Sequence, residues 1–178
     1  MECGDLDLAM AAARGDRAAF ASLVERHYDR VFRLAFRLTG RRDAAEDLTQ
    51  DICAALPAKL RGFQGQARFT TWLYRVVVNA AHDRRRRGAA HARAADGWGD
   101  WEMDRRAADA EADAELAWLR DAMRALPEDL RDTLALILDA EMTQGAAAEV
   151  LGISEGTVAW RMSEVKKRLR AMNEEHSQ

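Results

Sequence analysis

A chain of 178 residues, 48% hydrophobic and 32% charged, is too apolar for disorder throughout and long enough for one compact domain or two small ones. Its two prolines, Pro57 and Pro127, interrupt segments rich in Ala, Leu, Arg and Glu, which predicts an all-α fold. A formal net charge of −3 conceals separate basic and acidic blocks, and no apolar run reaches the ~18 residues that suggest a membrane span.

The opening MECGDLDLAM is acidic and lacks the basic start and apolar stretch of a secretory signal, so a cytoplasmic protein is expected. Cys3 and Cys53 form no CxxC pair and are read as reduced thiols. From 16 to 39, Phe20, Leu23, Val24, His27, Val31, Leu34, Ala35 and Leu38 recur at three- and four-residue spacing. That spacing predicts one amphipathic helix, or two in line, with His27 and Tyr28 as ordinary packing residues and Gly40 at its end. In DAAEDLTQDICAALPAKL, Ala44, Leu48, Ile52 and Leu56 form an apolar stripe. Asp43, Glu46, Asp47, Gln50 and Asp51 lie opposite, a face that charge alone reads as solvated. Pro57 is expected to end or kink this helix.

The loop RGFQGQAR offers Phe63, Gln64 and Gln66 for stacking and hydrogen bonding, and Thr70 or Thr71 is a candidate cap for the next helix. If Trp72 to Arg86 is helical, Leu73, Val77, Ala80 and Arg84 share one side, and Trp72, Arg75, Asn79, His82, Asp83 and Arg86 share the other. Arginines neutralise phosphate, an aromatic face accepts an unstacked base and an amide bonds a base edge, a set suited to single-stranded or melted nucleic acid. A core tryptophan with a solvated basic helix end is the competing reading. His82, Asp83 and His91 match no familiar metal spacing, and arginines would repel a cation there.

Residues 61–93 carry eight basic groups against one acid, and residues 94–115 eight acids against two arginines. A polyanion can therefore bind the first block despite the negative total. Residues 88–108 combine Gly, Ala and acids without helical period and read as a flexible connection. Beyond it, Leu116, Leu119, Met123 and Leu126 mark a helix. Pro127 is placed at the first position of another, whose core face is Leu130, Leu134, Ile137 and Leu138. Thr143 caps a short helix that stops at Gly152, and Ser154 caps the last one, giving a helix-turn-helix. In that last helix Val158, Met162, Val165, Leu169 and Met172 face inward. Trp160, Ser163, Glu164 and Lys167 point outward, flanked by Arg161, Lys166 and Arg170. Such a face suits the DNA major groove, with Glu164 able to accept from cytosine; a protein-binding hairpin anchored by Trp160 is the alternative.

These motifs in this order resemble an extracytoplasmic-function (ECF, group four) sigma factor of bacterial RNA polymerase over nearly the whole chain. DAAEDLTQD resembles the polymerase-binding helix, FTTWLYRVVVNAAHDRRRR the promoter-melting helix, and LPEDLRDTL with LGISEGTVAWRM the C-terminal helix-turn-helix. The resemblance implies an all-α fold of two small helical domains, 1–92 and 113–178, joined by an acidic flexible linker at 93–112. It implies promoter recognition, DNA melting and transcription initiation in a stress or envelope response. Core polymerase, promoter DNA and an anti-sigma factor are the implied partners, with no cofactor, metal, catalytic residue or membrane insertion. Asp47, Leu48, Gln50 and Asp51 would dock on the largest polymerase subunit. Phe63, Gln66, Trp72, Arg75, Asn79, Arg84 and Arg86 would serve the minus-ten element. Ser154, Thr157, Trp160, Arg161, Ser163, Glu164 and Lys167 would serve the minus-thirty-five element. Solvent-separated domains would offer surfaces for an inhibitor to clamp.

The chain departs from the family's pattern at Ala159, where a basic residue is common, and at Trp160, where a small one is usual. Glu164 also stands where other side chains are frequent. A helix-turn-helix regulator that never joins polymerase is the alternative function, but it has no need of the DAAEDLTQD face.

Overall fold

The computed structural model describes residues 4–94, 114–139 and 142–176. Among them are eight helices and no strand: α1 Asp5–Ala13, α2 Arg17–Thr39, α3 Arg42–Leu60, α4 Phe69–Ala94, α5 Ala114–Ala125, α6 Glu128–Ile137, α7 Gln144–Leu151 and α8 Glu155–His176. The all-α expectation holds. The acidic linker expected at 93–112 lies, from residue 95 onward, outside the described residues.

The acidic N-terminus forms a helix that its short, weakly patterned sequence did not announce. α1 buries Ala9 and ties to α2 through Asp5, whose carboxylate accepts from Arg26 at 3.2 Å and contacts His27 Nε2 at 2.8 Å. α2 is a single helix. The Asp16 side chain caps it by accepting from the amides of Ala18 and Ala19, and Gly40 closes it at φ 69°, a conformation that costs glycine little. His27 packs as expected, but Tyr28, one position round the helix, is exposed.

α3 runs on through Pro57 to Leu60. One lost backbone bond in the last turn is offset by Leu56 and Leu60, both buried. α4 starts at Phe69, so Thr70 and Thr71 lie inside its first turn rather than capping it, and the helix continues past Gly88 to Ala94. Its burial also differs from the single core side drawn from the 3.6 period. Leu73, Tyr74, Val76, Val77, Val78 and Ala81 are all buried, because α2 and α3 cover one side and α7 covers another.

In the C-terminal half, Leu126, Leu130, Leu134 and Val165 form a small core with Met123, Met162 and Leu169 against it. Pro127 sits at the N-cap of α6 in an extended conformation, one position earlier than expected. Leu138 follows the end of α6 and is half exposed, while Ala135 and Leu136 on another side of that helix are fully buried. Thr143 caps α7 by accepting from the Ala146 amide at 3.1 Å, and Gly152 closes it at φ 67°. The tight turn into α8 completes the helix-turn-helix.

The two halves are packed on one another, not separated by solvent. Ala135, Leu136, Ala147, Ala148, Val150 and Val158 belong to the same apolar cluster as Leu73, Val77 and Val78 of α4. Polar ties follow the same seam. Tyr74 Oη lies 2.6 Å from an Asp139 carboxylate oxygen, Arg37 donates to the Ala135 carbonyl at 3.2 Å, and Arg124 donates to the Gly40 carbonyl at 2.8 Å.

Candidate nucleic-acid interface

The polar face of α3 presents Asp47, Gln50 and Asp51 to solvent, whereas Leu48 is 1% exposed in the core. Leu48, read both as part of the apolar stripe and as a docking residue, packs with the stripe and seats the helix beneath those exposed side chains. The exposed carboxylates are not isolated. Arg84 of α4 donates to Asp47 at 3.0 Å and lies 3.9 Å from Asp51.

The loop before α4 and the first turns of that helix enclose a cavity of about 340 Å³ lined by Gly62–Ala67, Trp72, Arg75 and Glu149. Phe63 is buried, with ring centroids 5.9 Å from Phe69 and 5.1 Å from Trp72. Its ring is the aromatic root of the loop and still lines the cavity. Trp72 is half-buried in the same cluster, 5.7 Å from Phe69, and still lines the cavity, so it combines the two readings left open by the sequence. Gln64 and Gln66 are exposed, and the Gln66 amide donates to Gln64 at 3.1 Å. The same loop, with its own Arg68, lines a larger opening of about 700 Å³ together with Arg26 and Arg30 of α2, two groups that helical periodicity could not bring to the loop.

Asn79, Asp83 and Arg86 are exposed on α4. Arg86 pairs with Asp83, and this guanidinium holds the Asp83 carboxyl below its ordinary pKa. Arg75 and His82, assigned to the same face, turn toward the C-terminal half. Arg75 donates to the Glu149 carbonyl at 2.8 Å, and His82 Nε2 lies 2.7 Å from Asp132. Arg85 adds two bonds to Asp132, at 3.0 and 2.8 Å, and an ion pair with Glu128 at 2.6 Å. His82, Glu128 and Asp132 place ligand-type atoms within 4.8 Å of one another, but the Arg85 guanidinium already supplies the positive charge between both carboxylates.

On α8, Trp160 is 60% exposed, and Ser163, Lys166, Lys167 and Arg170 share solvent with it. Val158 and Val165 are buried as the face assignment required. Ser154 and Thr157 are engaged at the helix start: the Ser154 hydroxyl accepts from the Thr157 amide at 3.1 Å and contacts its hydroxyl at 2.8 Å. Arg161, expected on the flank of that face, packs toward the protein. Its side chain is 18% exposed and turns back to α6, 3.4 Å from the Asp129 carboxylate and the Thr133 hydroxyl. Glu164 is half-buried and lies 4.0 Å from Arg168. Away from these surfaces Cys53 is a free, half-buried thiol whose pKa burial pushes up.

Residues 23–91 match the family model described as Sigma-70 region 2, and residues 116–169 that described as Sigma-70, region 4. The ECF RNA polymerase sigma factor SigM of Mycobacterium tuberculosis is 35% identical over 170 residues, covering 94% of this chain and 84% of that protein. The RNA polymerase sigma factor CnrH of Cupriavidus metallidurans is 30% identical over 181 residues, covering 96% and 95%. Among solved structures, CnrH in complex with the cytosolic domain of CnrY has a TM-score of 0.72 at 27% identity, covering 96% of this chain and 97% of that one. The sigma factor RpoE in complex with the anti-sigma factor NepR, from Bartonella quintana, shares the fold with a TM-score of 0.72 at 21% identity. No helix among the described residues is long and apolar enough to cross a membrane.

Proposed function

Because the chain belongs to the extracytoplasmic-function sigma factors of bacterial RNA polymerase, we propose that it divides promoter recognition and melting among three of its own surfaces. As an RNA polymerase sigma factor it directs promoter recognition and transcription initiation, and the polymerase performs the chemistry of RNA synthesis.

Asp47, Gln50 and Asp51 form the docking face for core polymerase. All three are exposed on one rigid helix, where carboxylates can pair with cations of the partner and supply orientation and speed of encounter. The loop cavity beside Trp72, together with Gln66, Asn79, Arg84 and Arg86, accepts bases and phosphates of the unpaired minus-ten strand. Unstacking a base costs a few kcal/mol, so a site that holds the extruded base biases the duplex toward the open form. On α8, Trp160, Ser163 and Lys167 face the major groove of the minus-thirty-five element, where the indole offers apolar contact to a thymine methyl and the lysine holds phosphate. Ser154 and Thr157 set the start of that helix and its approach to the backbone.

The observation that carries this reading is the cavity of about 340 Å³ formed by the loop Gly62–Ala67 with Trp72 and Arg75 and walled on the α7 side by Glu149, beside the helix that also exposes Asn79. An anti-sigma factor is a further partner, a reading supported by CnrH having been solved with the cytosolic domain of CnrY. The acidic segment at 93–112 is read as the connection between the two promoter-binding domains, 1–92 and 113–178. A stress or envelope response is the expected setting. Adding the protein to core polymerase and a promoter library should produce specific start sites. If the protein binds DNA but leaves core polymerase inert, the alternative of a free helix-turn-helix regulator stands instead.

A further inference from the structure

We propose that α1 is the buttress of the loop Gly62–Ala67, with Leu6 and Asp5 as positioning residues for capture of an unpaired base; this rests on the reading of the loop cavity as the strand-binding site. Gly65, Gln66 and Ala67 line both the cavity beside Trp72 and the larger opening shared with α2. A segment that borders two openings has little packing of its own, and Gln64 and Gln66 are exposed. A loop that binds with specificity has to be held in its binding shape by what lies behind it.

α1 supplies that support at two points. Leu6 is 48% exposed, yet its Cδ1 atom lies 3.1 Å from where a side chain on Gly65 would begin. The methyl group therefore rests on bare loop backbone, at a residue held at φ 70°. Asp5 makes the second point. Its carboxylate accepts from Arg26 at 3.2 Å and meets His27 Nε2 at 2.8 Å. The His27 ring is buried and stands edge-on to Phe69, centroids 5.2 Å apart, and Phe69 packs edge-on against Phe63. Asp5 thus fixes the ring against which the aromatic root of the loop is seated.

The support lasts only while α1 stays docked. With nine residues and no side-chain cap, α1 is shorter than the ~12 residues at which isolated helices become marginal in water. Ala9 is fully buried, Leu8, Ala12 and Ala13 pack on the same core, and Asp5 adds its polar ties. Truncating Leu6 or Asp5 leaves Ala9 and that core in place, so the loop loosens without the domain unfolding. Binding of the base then falls with the fraction of molecules whose loop is correctly seated.

The test compares the full chain as wild type, Leu6→Ala, Asp5→Ala and the conservative Leu6→Met, with thermal melts confirming folding. Trypsin cleaves after Arg61 and Arg68, which flank the loop and are exposed, and cleavage after the exposed Lys167 of α8 is the internal reference. Leu6→Ala and Asp5→Ala should raise loop cleavage about fivefold relative to the reference, because cleavage tracks the open population. Leu6→Met should return it to the wild-type rate. In the holoenzyme, affinity for promoter DNA is measured with the natural base and with an abasic position, scanned through the minus-ten element of the non-template strand. At the captured base the ratio of these affinities should fall about fivefold in both Ala variants. Global destabilisation exposes all cleavage sites alike and moves neither ratio. Unchanged loop cleavage in Leu6→Ala, or no recovery in Leu6→Met, overturns the buttress, and unchanged cleavage in Asp5→Ala removes Asp5 from it. Faster cleavage with unchanged base discrimination overturns the link to capture. A wild type that prefers no natural base over its abasic form removes the cavity from base capture, while the buttress itself is judged by cleavage.

Discussion

Arg84 reaches from α4 to Asp47 of α3 across 3.0 Å, so a cation assigned to promoter phosphate pairs with a carboxylate assigned to polymerase. Asp47 is exposed and Arg84 partly so, and such a pair is weak enough to exchange partners. Polymerase docking on Asp47 and Asp51 would leave Arg84 to the DNA. On the proposed roles, one guanidinium would couple the two interfaces.

Replacing Asp47 and Gln50 together by Ala should leave stability within about 0.5 kcal/mol, as for other surface changes. Affinity for core polymerase should fall about tenfold, the loss of one or two charge-assisted contacts. Competition against an unmodified sigma factor measures this, and unchanged affinity would remove the α3 face from the docking surface.

Leu48→Ala, one residue along, should do the opposite in kind. Emptying a site that is 1% exposed should cost about 2–5 kcal/mol, seen as a shift of the urea midpoint. Intact stability with lost polymerase binding would return Leu48 to the interface.

Trp160→Ala removes a side chain that is 60% exposed, so its effect on stability should be within about 0.5 kcal/mol. Selection from a library randomised in the upstream element should show relaxed or altered preference by about 1–3 kcal/mol at one position. An unchanged preference would mean that the indole serves another contact.

His27 supplies a pH dependence. Burial lowers its pKa and outweighs the Asp5 carboxylate, which raises it, while Arg30 and Arg26 add to the lowering. The unfolded chain therefore binds this proton more readily. The contribution to stability is full above the unfolded value of about 6.5 and is lost as pH falls through the lower folded value. Urea midpoints should drop for the wild type as pH is lowered through that window, and His27→Gln should flatten that part of the profile. Parallel profiles would show that other groups set the acid response.

The helices with a clear apolar period were legible because local spacing dictates which side is buried: Leu23, Val31 and Leu34 on α2, or Val158 and Val165 on α8. Caps at Thr143 and Gly152 were legible for a similar reason, since one residue type satisfies the helix end. What sequence could not supply was the contact between halves. Tyr74, Val76 and Val78 stand in an apolar stretch broken by Arg75 alone, and periodicity cannot say that α7 rather than solvent lies over part of it. Nor could it reveal that Arg161 turns back to Asp129 or that Arg75 is taken by Glu149. Phe63 was placed at an interface by family position, and its burial emerged only with the aromatic cluster in view.

On the proposed roles, one chain recognises upstream duplex with α8 and opens downstream duplex with α4 through separable residues. Footprinting of the holoenzyme on one promoter, with permanganate for unpaired thymines and nuclease for upstream protection, measures both at once. Asn79→Ala should lose the unpaired thymines while upstream protection and polymerase binding persist. Loss of polymerase binding and upstream protection together with melting, or full melting by the variant, would contradict the account.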